Sequence, residues 1–218
     1  EQHGPHAPLG TDVLTAEAVA EAGADRYPDP VVVAPAIPVG IAEEHRRFSG
    51  TLWTSESTFR EYVRDVIGSL ASHGWNRIVV VNGHGGNVAA LQEVTARIVR
   101  HDDAYAVPFT WFDEVGEHAS DMGHAGPLET SMLRHTDPET VHEDRFAAAA
   151  ADGADGWGEW QGRVNLAVDS HEFTDNGAVG DPGESSAELG AELLDRSADA
   201  LCDLLDAIRD RDPAPRVD

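Results

Sequence analysis

Three short stretches of this chain place imidazoles and carboxylates where they could share a metal ion. In "EQHGPHAPLGTD", residues 1–12, Glu1 and His3 stand two apart, so on an extended segment both side chains point to one side, and Asp12 follows a loop shaped by proline and glycine. In "VVVNGHGGN", residues 79–87, an apolar run breaks on His84, wedged between glycines. In "DMGHAGPLETS", residues 121–131, Asp121 lies close enough in sequence to His124 to orient its imidazole, and Glu129 follows. Mixed carboxylate and imidazole sets suit Zn, Mn or Fe(II), and extra carboxylates suit two ions sharing a bridging Asp.

Each stretch also has a plainer reading. The first could be a solvated polar arm, the second only a tight turn. In the third, Glu129 could be a helix-start carboxylate favoured by the helix dipole, with His124 solvated. A phosphate-cradling loop is disfavoured, because neither GxGxxG nor GxxxxGK[ST] occurs and the net charge of -25 opposes a polyphosphate. His45, in the irregular and lid-like "AEEHRRFSGTLWTS", is the other histidine of interest. Trp157 and Trp160 flank a glycine loop and could wall a pocket, although such pairs more often serve packing.

The elements that must position these residues follow from periodicity. "TDVLTAEAVAEAGA" reads as a helix capped by Thr11 or Asp12, and "PVVVAPAIPVG" as a buried strand. "SESTFREYVRDVIGSLASHGW" is the clearest helix, with Ser55 or Ser57 as cap, an apolar face of Phe59, Val63, Val66, Ile67 and Leu70, and Gly74 as its stop. A strand over 77–81, buried on both faces, runs into the His84 loop, and "VAALQEVTARIVR" resumes a helix. "AYAVPFTWF" gives a further short strand, and residues 128–133 open a helix with Glu129 in its first turn. "AAAAADGADGWGEWQG" reads as a mobile connection, and a long C-terminal helix precedes a frayed tail over 209–218. Helix, strand, loop, helix is the signature of a doubly wound α/β sheet, whose ligands sit beyond the carboxyl ends of its strands. His84 belongs at such an end.

At 218 residues the chain suits one domain. It carries 40 acidic residues against 15 basic ones, every basic residue being Arg. That field repels nucleic acid and anionic membrane, and it points to a halophilic cytoplasm where salt screens the self-repulsion, an ordinary acidic, soluble protein being the plainer reading. Cys202 is the single cysteine, which excludes an internal disulfide and a thiolate metal cluster. No apolar run approaches a membrane span and no signal peptide is visible, so a cytoplasmic location is expected.

Together, and in this order, "EQHGPHAPLGTD", "VVVNGHGGN", "GHAGPLETS" and, more weakly, "GAVGDPGESSAELG" resemble the creatininase family of metal-dependent amidohydrolases. The resemblance implies a three-layer α/β/α sandwich with a mostly parallel central sheet, as a single domain over 1–218 that lacks the family's leading strand before Glu1. It implies that Glu1, His3, Asp12 and His84 bind two divalent ions, Zn and/or Mn with Fe also admissible, with Asp12 bridging. His124 matches the family's catalytic histidine, expected to donate a proton to the departing nitrogen, and Asp121 matches an acidic residue three positions earlier. In creatinine-hydrolysing members a Glu stands two residues after the metal-binding His, where this chain has Gly86. Glu129 is the expected replacement ligand, and Gly85, Gly86 and His45 are the expected substrate contacts. The implied activity is hydrolysis of a C-N amide bond in a small molecule, creatinine itself being put in doubt by Gly86. Formamide deformylases of flavin and deazaflavin synthesis and peptide-trimming enzymes are alternatives within the family. A metal- or nucleotide-binding protein without catalysis is the alternative of another class. A homo-oligomer, a hexamer by resemblance, is expected.

Overall fold

In the computed structural model of the chain, residues 1–211 are described, so all but the start of the expected frayed tail lies outside the described residues. The elements in chain order are α1 (Thr11–Arg26), α2 (Glu56–Ser72), β1 (Arg77–Asn82), α3 (Val88–His101), β2 (Tyr105–Thr110), α4 (Pro127–Thr136), α5 (Phe146–Asp152), β3 (Trp160–Gln161), β4 (Val164–Asn165) and α6 (Ala187–Ile208). β1 and β2 pair in parallel, from Arg77 opposite Tyr105 to Asn82 opposite Thr110, and α3 makes the crossover between them. β3 and β4 form a small antiparallel hairpin.

The pleat of β1 divides the core in two. Ile78 and Val80 face Phe59, Val63 and Ile67 of α2 and Leu91, Val94 and Ile98 of α3. Val79 and Val81 face the other side, towards Val19 of α1, Phe109 and Trp111, Leu128 and Met132 of α4, and Leu193 and Leu201 of α6. Alternation of period two on one strand thus seats helices on both faces. Each fully buried Leu, Ile or Val contributes roughly 1.5–3 kcal/mol relative to exposure.

The structure departs from several of these expectations. The chain is α/β, but among the described residues the expected mostly parallel sheet is a two-stranded ribbon beside six α-helices. "PVVVAPAIPVG" forms no strand: residues 30–40 have no regular secondary structure, and Val31, Val32 and Val33 are exposed. A strand needs a neighbouring strand for its backbone hydrogen bonds, and no strand among the described residues pairs with this segment. For the same reason β1 is half-buried along most of its length, because its edge away from β2 faces an apolar cavity of about 640 Å³ bounded by residues 30–38 and α1 and α2. The "AAAAAD" run is the end of α5 instead of a mobile connection, since alanine is the best helix former. Thr11 and Asp12 lie inside α1, whose N-cap is Gly10, so neither caps it and Asp12 is free to point elsewhere. Ser55 caps α2 as expected, accepting from the Thr58 N–H, and Gly74 (φ 91°) lies just beyond its end. No helix among the described residues is long and apolar enough to cross a membrane.

Candidate metal centre

The loop after β1 delivers His84 to the carboxyl end of the parallel pair. Asn82 shapes the turn: its Nδ2 donates to the His84 carbonyl (2.9 Å), and its Oδ1 accepts from the His84 N–H (3.2 Å). Gly83 is required by close approach, because a Cβ there would lie 2.2 Å from the Asp12 carbonyl oxygen at the start of α1. That contact brings Asp12, in the first turn of α1, beside His84. The N-terminal segment lies alongside, and Glu1 and His3 join the cluster from it.

The third stretch arrives by a backbone clamp. His124 and Val179 exchange two hydrogen bonds, His124 N–H to Val179 O (3.1 Å) and Val179 N–H to His124 O (2.7 Å). This explains the weak fourth motif, "GAVGDPGESSAELG": Val179 fixes the His124 turn, and Ser186 caps α6 through the Leu189 N–H. Ala125 adopts a left-handed conformation (φ 50°), costly for a residue with a Cβ, and its N–H donates to Glu129 Oε2 at 2.5 Å. Glu129 is buried at the start of α4 with Oε1 turned to His3.

Five residues singled out as ligands therefore meet. His3 Nε2 lies 3.1 Å from Asp12 Oδ1 and 3.6 Å from Glu129 Oε1. His84 Nδ1 lies 2.8 Å from Glu1 Oε2 and 3.4 Å from Asp12 Oδ2. The two oxygens of Asp12 thus face different imidazoles, one in each half of the cluster. Donor atoms of Glu1, His3 and Asp12 lie within 4.8 Å of one another, as do those of His3, His124 and Glu129. His3 Nδ1 donates to the Glu1 carbonyl (3.0 Å), which leaves Nε2 as its inward-facing atom.

Glu1 shows how well this set fits a cation. Its side chain is 1% exposed, and both carboxylate oxygens lie 2.8 Å from an imidazole nitrogen, of His45 and of His84. Neither oxygen nonetheless has a hydrogen bond of acceptable geometry. The contacts are close but misaligned: the atoms converge on shared space, as a cation cage requires. A buried carboxylate without directional partners is costly unless a positive charge compensates it.

Protonated imidazoles supply that charge when no cation is present. Burial works against charging His84, but Glu1 and Asp12 outweigh it and hold its pKa at about 10. His3 is likewise raised well above the usual imidazole range, its burial overcome by Asp12 and Glu129. Burial raises the Glu129 carboxyl despite the nearby His3. His124 behaves oppositely: burial, reinforced by His3, lowers it to about 3, so its ring is neutral. Cation binding at His3 and His84 should therefore release protons. Calorimetry of Zn or Mn binding in buffers of different ionisation enthalpy checks this, and apparent affinity should rise with pH; binding without proton release would contradict it.

Not every expected site residue joins the cluster. Asp121 is exposed and accepts from the Ser120 hydroxyl (3.1 Å), whereas His124 turns Nε2 to the Gln2 carbonyl (2.7 Å) and Nδ1 towards Glu1 Oε1 (3.9 Å). Orientation of His124 thus comes from the Gln2 carbonyl, and the expected Asp121 contact is not formed. Gly85 and Gly86 line a cavity of about 430 Å³ that opens over Glu1, His84, His124 and Glu129. This smaller cavity holds the chemistry; the 640 Å³ cavity reaches Glu1, Asp12 and His84 only at one end of a largely apolar trough. His45 is fully buried, with Nδ1 facing Glu1 and the Ser170 hydroxyl (2.9 Å). Trp157 stacks at 5.9 Å over His45 and meets His124 edge-on at 6.2 Å, walling the cavity. Sequence reasoning missed Gln2 and Glu44. Adjacency of Glu44 to His45 was the available signal.

Gly86 tolerates no side chain, since a Cβ would lie 2.3 Å from the Ile41 carbonyl oxygen and 2.5 Å from His84 Nε2. Gly86→Ala should cost about 1–3 kcal/mol of stability and reduce metal occupancy by moving His84. Thermal melts and elemental analysis check this, and wild-type values in both would contradict the packing described.

Fold and cluster together define an α/β protein with a candidate metal centre at the carboxyl end of its parallel strands. The chain belongs to the creatinine amidohydrolase (creatininase) family, whose model matches residues 1–205. It is 40% identical over 152 residues to a mycofactocin precursor peptide peptidase of Mycolicibacterium smegmatis, covering 67% of this chain and 58% of that protein. It is 30% identical over 168 residues to the creatinine amidohydrolase of Pseudomonas putida, covering 66% of this chain and 64% of that protein. The chain thus spans less than two thirds of either relative. A solved structure described as "Creatininase Mn" superposes with a TM-score of 0.71 at 25% identity, covering 98% of this chain and 88% of that one. A creatininase variant of Zn-Zn type superposes equally well, at 26% identity.

Proposed function

We propose that this chain is a metal-dependent hydrolase of C-N amide bonds that holds two divalent ions, Zn or Mn, and acts on a short peptide. Asp12 carries the two-ion reading, because its two carboxylate oxygens face His3 in one half of the cluster and His84 in the other. Support for Zn or Mn comes from the thiolate-free donor set and from the Mn and Zn-Zn forms of related creatininases. Support for a peptide comes from the 40% identity to a precursor peptide peptidase, and from Gly86, which leaves no carboxylate where creatinine-hydrolysing members carry Glu. Hydrolysis of a small cyclic amide is the second reading, favoured by the Pseudomonas putida relative.

When bound, the ions supply Lewis acidity and a water whose pKa falls towards neutrality. The chain's own residues do the rest. Glu1, His3, Asp12, His84 and Glu129 would hold the ions, and the Glu1 carbonyl and the Ala125 N–H fix the orientation of His3 and Glu129. His124 keeps its proton on Nε2 against the Gln2 carbonyl, so Nδ1 is the atom that takes a proton and returns it to the departing nitrogen. Trp157 and Phe173 wall the cavity and limit water around the scissile bond.

Assay of full-length, metal-loaded protein in high salt against short peptides, creatinine and formamide-bearing pyrimidines tests the reading. Hydrolysis of a short peptide that a chelator abolishes is expected. Failure to hydrolyse any of the three classes with the metal bound would contradict it.

A further inference from the structure

Gly86 raises a problem of coordination that the expected replacement does not solve. Glu129 sits in the half of the cluster that contains His3, tied by the Ala125 N–H, whereas the position vacated at Gly86 adjoins His84. Another carboxylate reaches that side. We propose that Glu44 is a further protein ligand of the ion held by Glu1 and His84, on the side that Gly86 leaves bare. The proposal rests on the metal centre of the preceding section and extends it.

Backbone placement carries the first part of the argument. Residues 40–45 are pinned to the His84 loop, for the Ile41 N–H donates to Asn87 Oδ1 (3.0 Å) and the Ile41 carbonyl lies 2.5 Å from His84 Nε2. The Gly40 carbonyl accepts from the Thr54 N–H (2.9 Å) and ties the segment back towards α2. A single 3-10 turn, Glu43–His45, then directs two consecutive side chains at the cluster. Glu44 Oε1 lies 3.9 Å from His84 Nε2, and His45 Nδ1 lies 2.8 Å from Glu1 Oε1. The bare Gly86 is what permits this approach, because a Cβ there would collide with Ile41.

Donor geometry carries the second part. One ligand atom from each of Glu1, Glu44 and His84 lies within 4.8 Å of the others. The buried Glu1 carboxylate, without a well-directed hydrogen bond, is aimed into the same space. Glu44 is 23% exposed and lines the 430 Å³ cavity, so it closes the centre on its solvent side. Glu43, by contrast, pairs with the exposed Arg46 and points away.

Titration of metal-free full-length protein with Co(II), read by visible absorption and by elemental analysis after desalting, tests the assignment. Wild type should retain about two ions per chain. Glu44→Gln should retain about one, with the second bound at least about 100-fold more weakly, beyond the roughly 10–100-fold typical of outer-sphere losses. Glu43→Gln should match wild type. Glu44→Ala provides the same reading should the Gln variant misfold, folding being judged by circular dichroism. Retention of two ions at wild-type affinity by either folded Glu44 variant would overturn the role of Glu44 and leave the metal centre standing. Failure of wild type to bind any ion would overturn both.

Discussion

Asp12→Asn should abolish hydrolysis and empty both halves of the metal centre. The two oxygens of Asp12 approach His3 and His84 separately, so weakening this one carboxylate removes negative charge from both ions at once. Metal ions supply several kcal/mol of transition-state stabilisation, and each ~1.4 kcal/mol is tenfold in rate, so kcat/KM should fall by about a thousandfold or more. Fold stability should move less, because Asp12 caps nothing and α1 rests on Val19 and its contacts with α6. Activity and metal content are the paired readouts. A variant that kept two ions while losing activity would show that Asp12 acts on substrate instead of bridging.

His124→Ala should separate chemistry from binding. The imidazole is neutral and poised by the Gln2 carbonyl, with Nδ1 facing the cluster as a proton carrier. Removing a general acid–base typically costs about 10²–10⁴ in rate, so kcat should fall by that amount while KM and metal content stay close to wild type. Donor atoms of His124, His3 and Glu129 also lie within 4.8 Å of one another, and the metal content decides between the two roles. Loss of an ion along with activity would make His124 a ligand. Asp121→Asn should have little effect, because its carboxylate is exposed and turned to Ser120.

These residues differ in how far the sequence alone disclosed them. Motifs named Glu1, His3, Asp12, His84, His124 and Glu129, and the structure brings all six within one cluster. Local spacing also revealed α2, whose Phe59, Val63 and Ile67 repeat at helical intervals, and β1, whose apolar run is short and bounded. Long-range contacts were not legible. Glu44 reaches the cluster through contacts such as the Ile41 N–H to Asn87 Oδ1 bond, which spans 46 residues. Asp121 looked well placed three positions before His124, yet the turn through Gly123 (φ 60°) sends the two side chains apart. Residues 30–40 read as a strand from composition, but strand formation depends on a partner edge that periodicity cannot supply.

Charge ties the account together. Glu1, Asp12 and Glu129 put three carboxylates into a largely buried site, and against the effect of burial they hold the His3 and His84 imidazoles above the usual range. Elemental analysis of the full-length protein, purified without chelator and desalted, tests this most directly. About two Zn or Mn ions per chain is the predicted result. A chain that holds no ion under those conditions would contradict the metal centre and the hydrolase reading built on it.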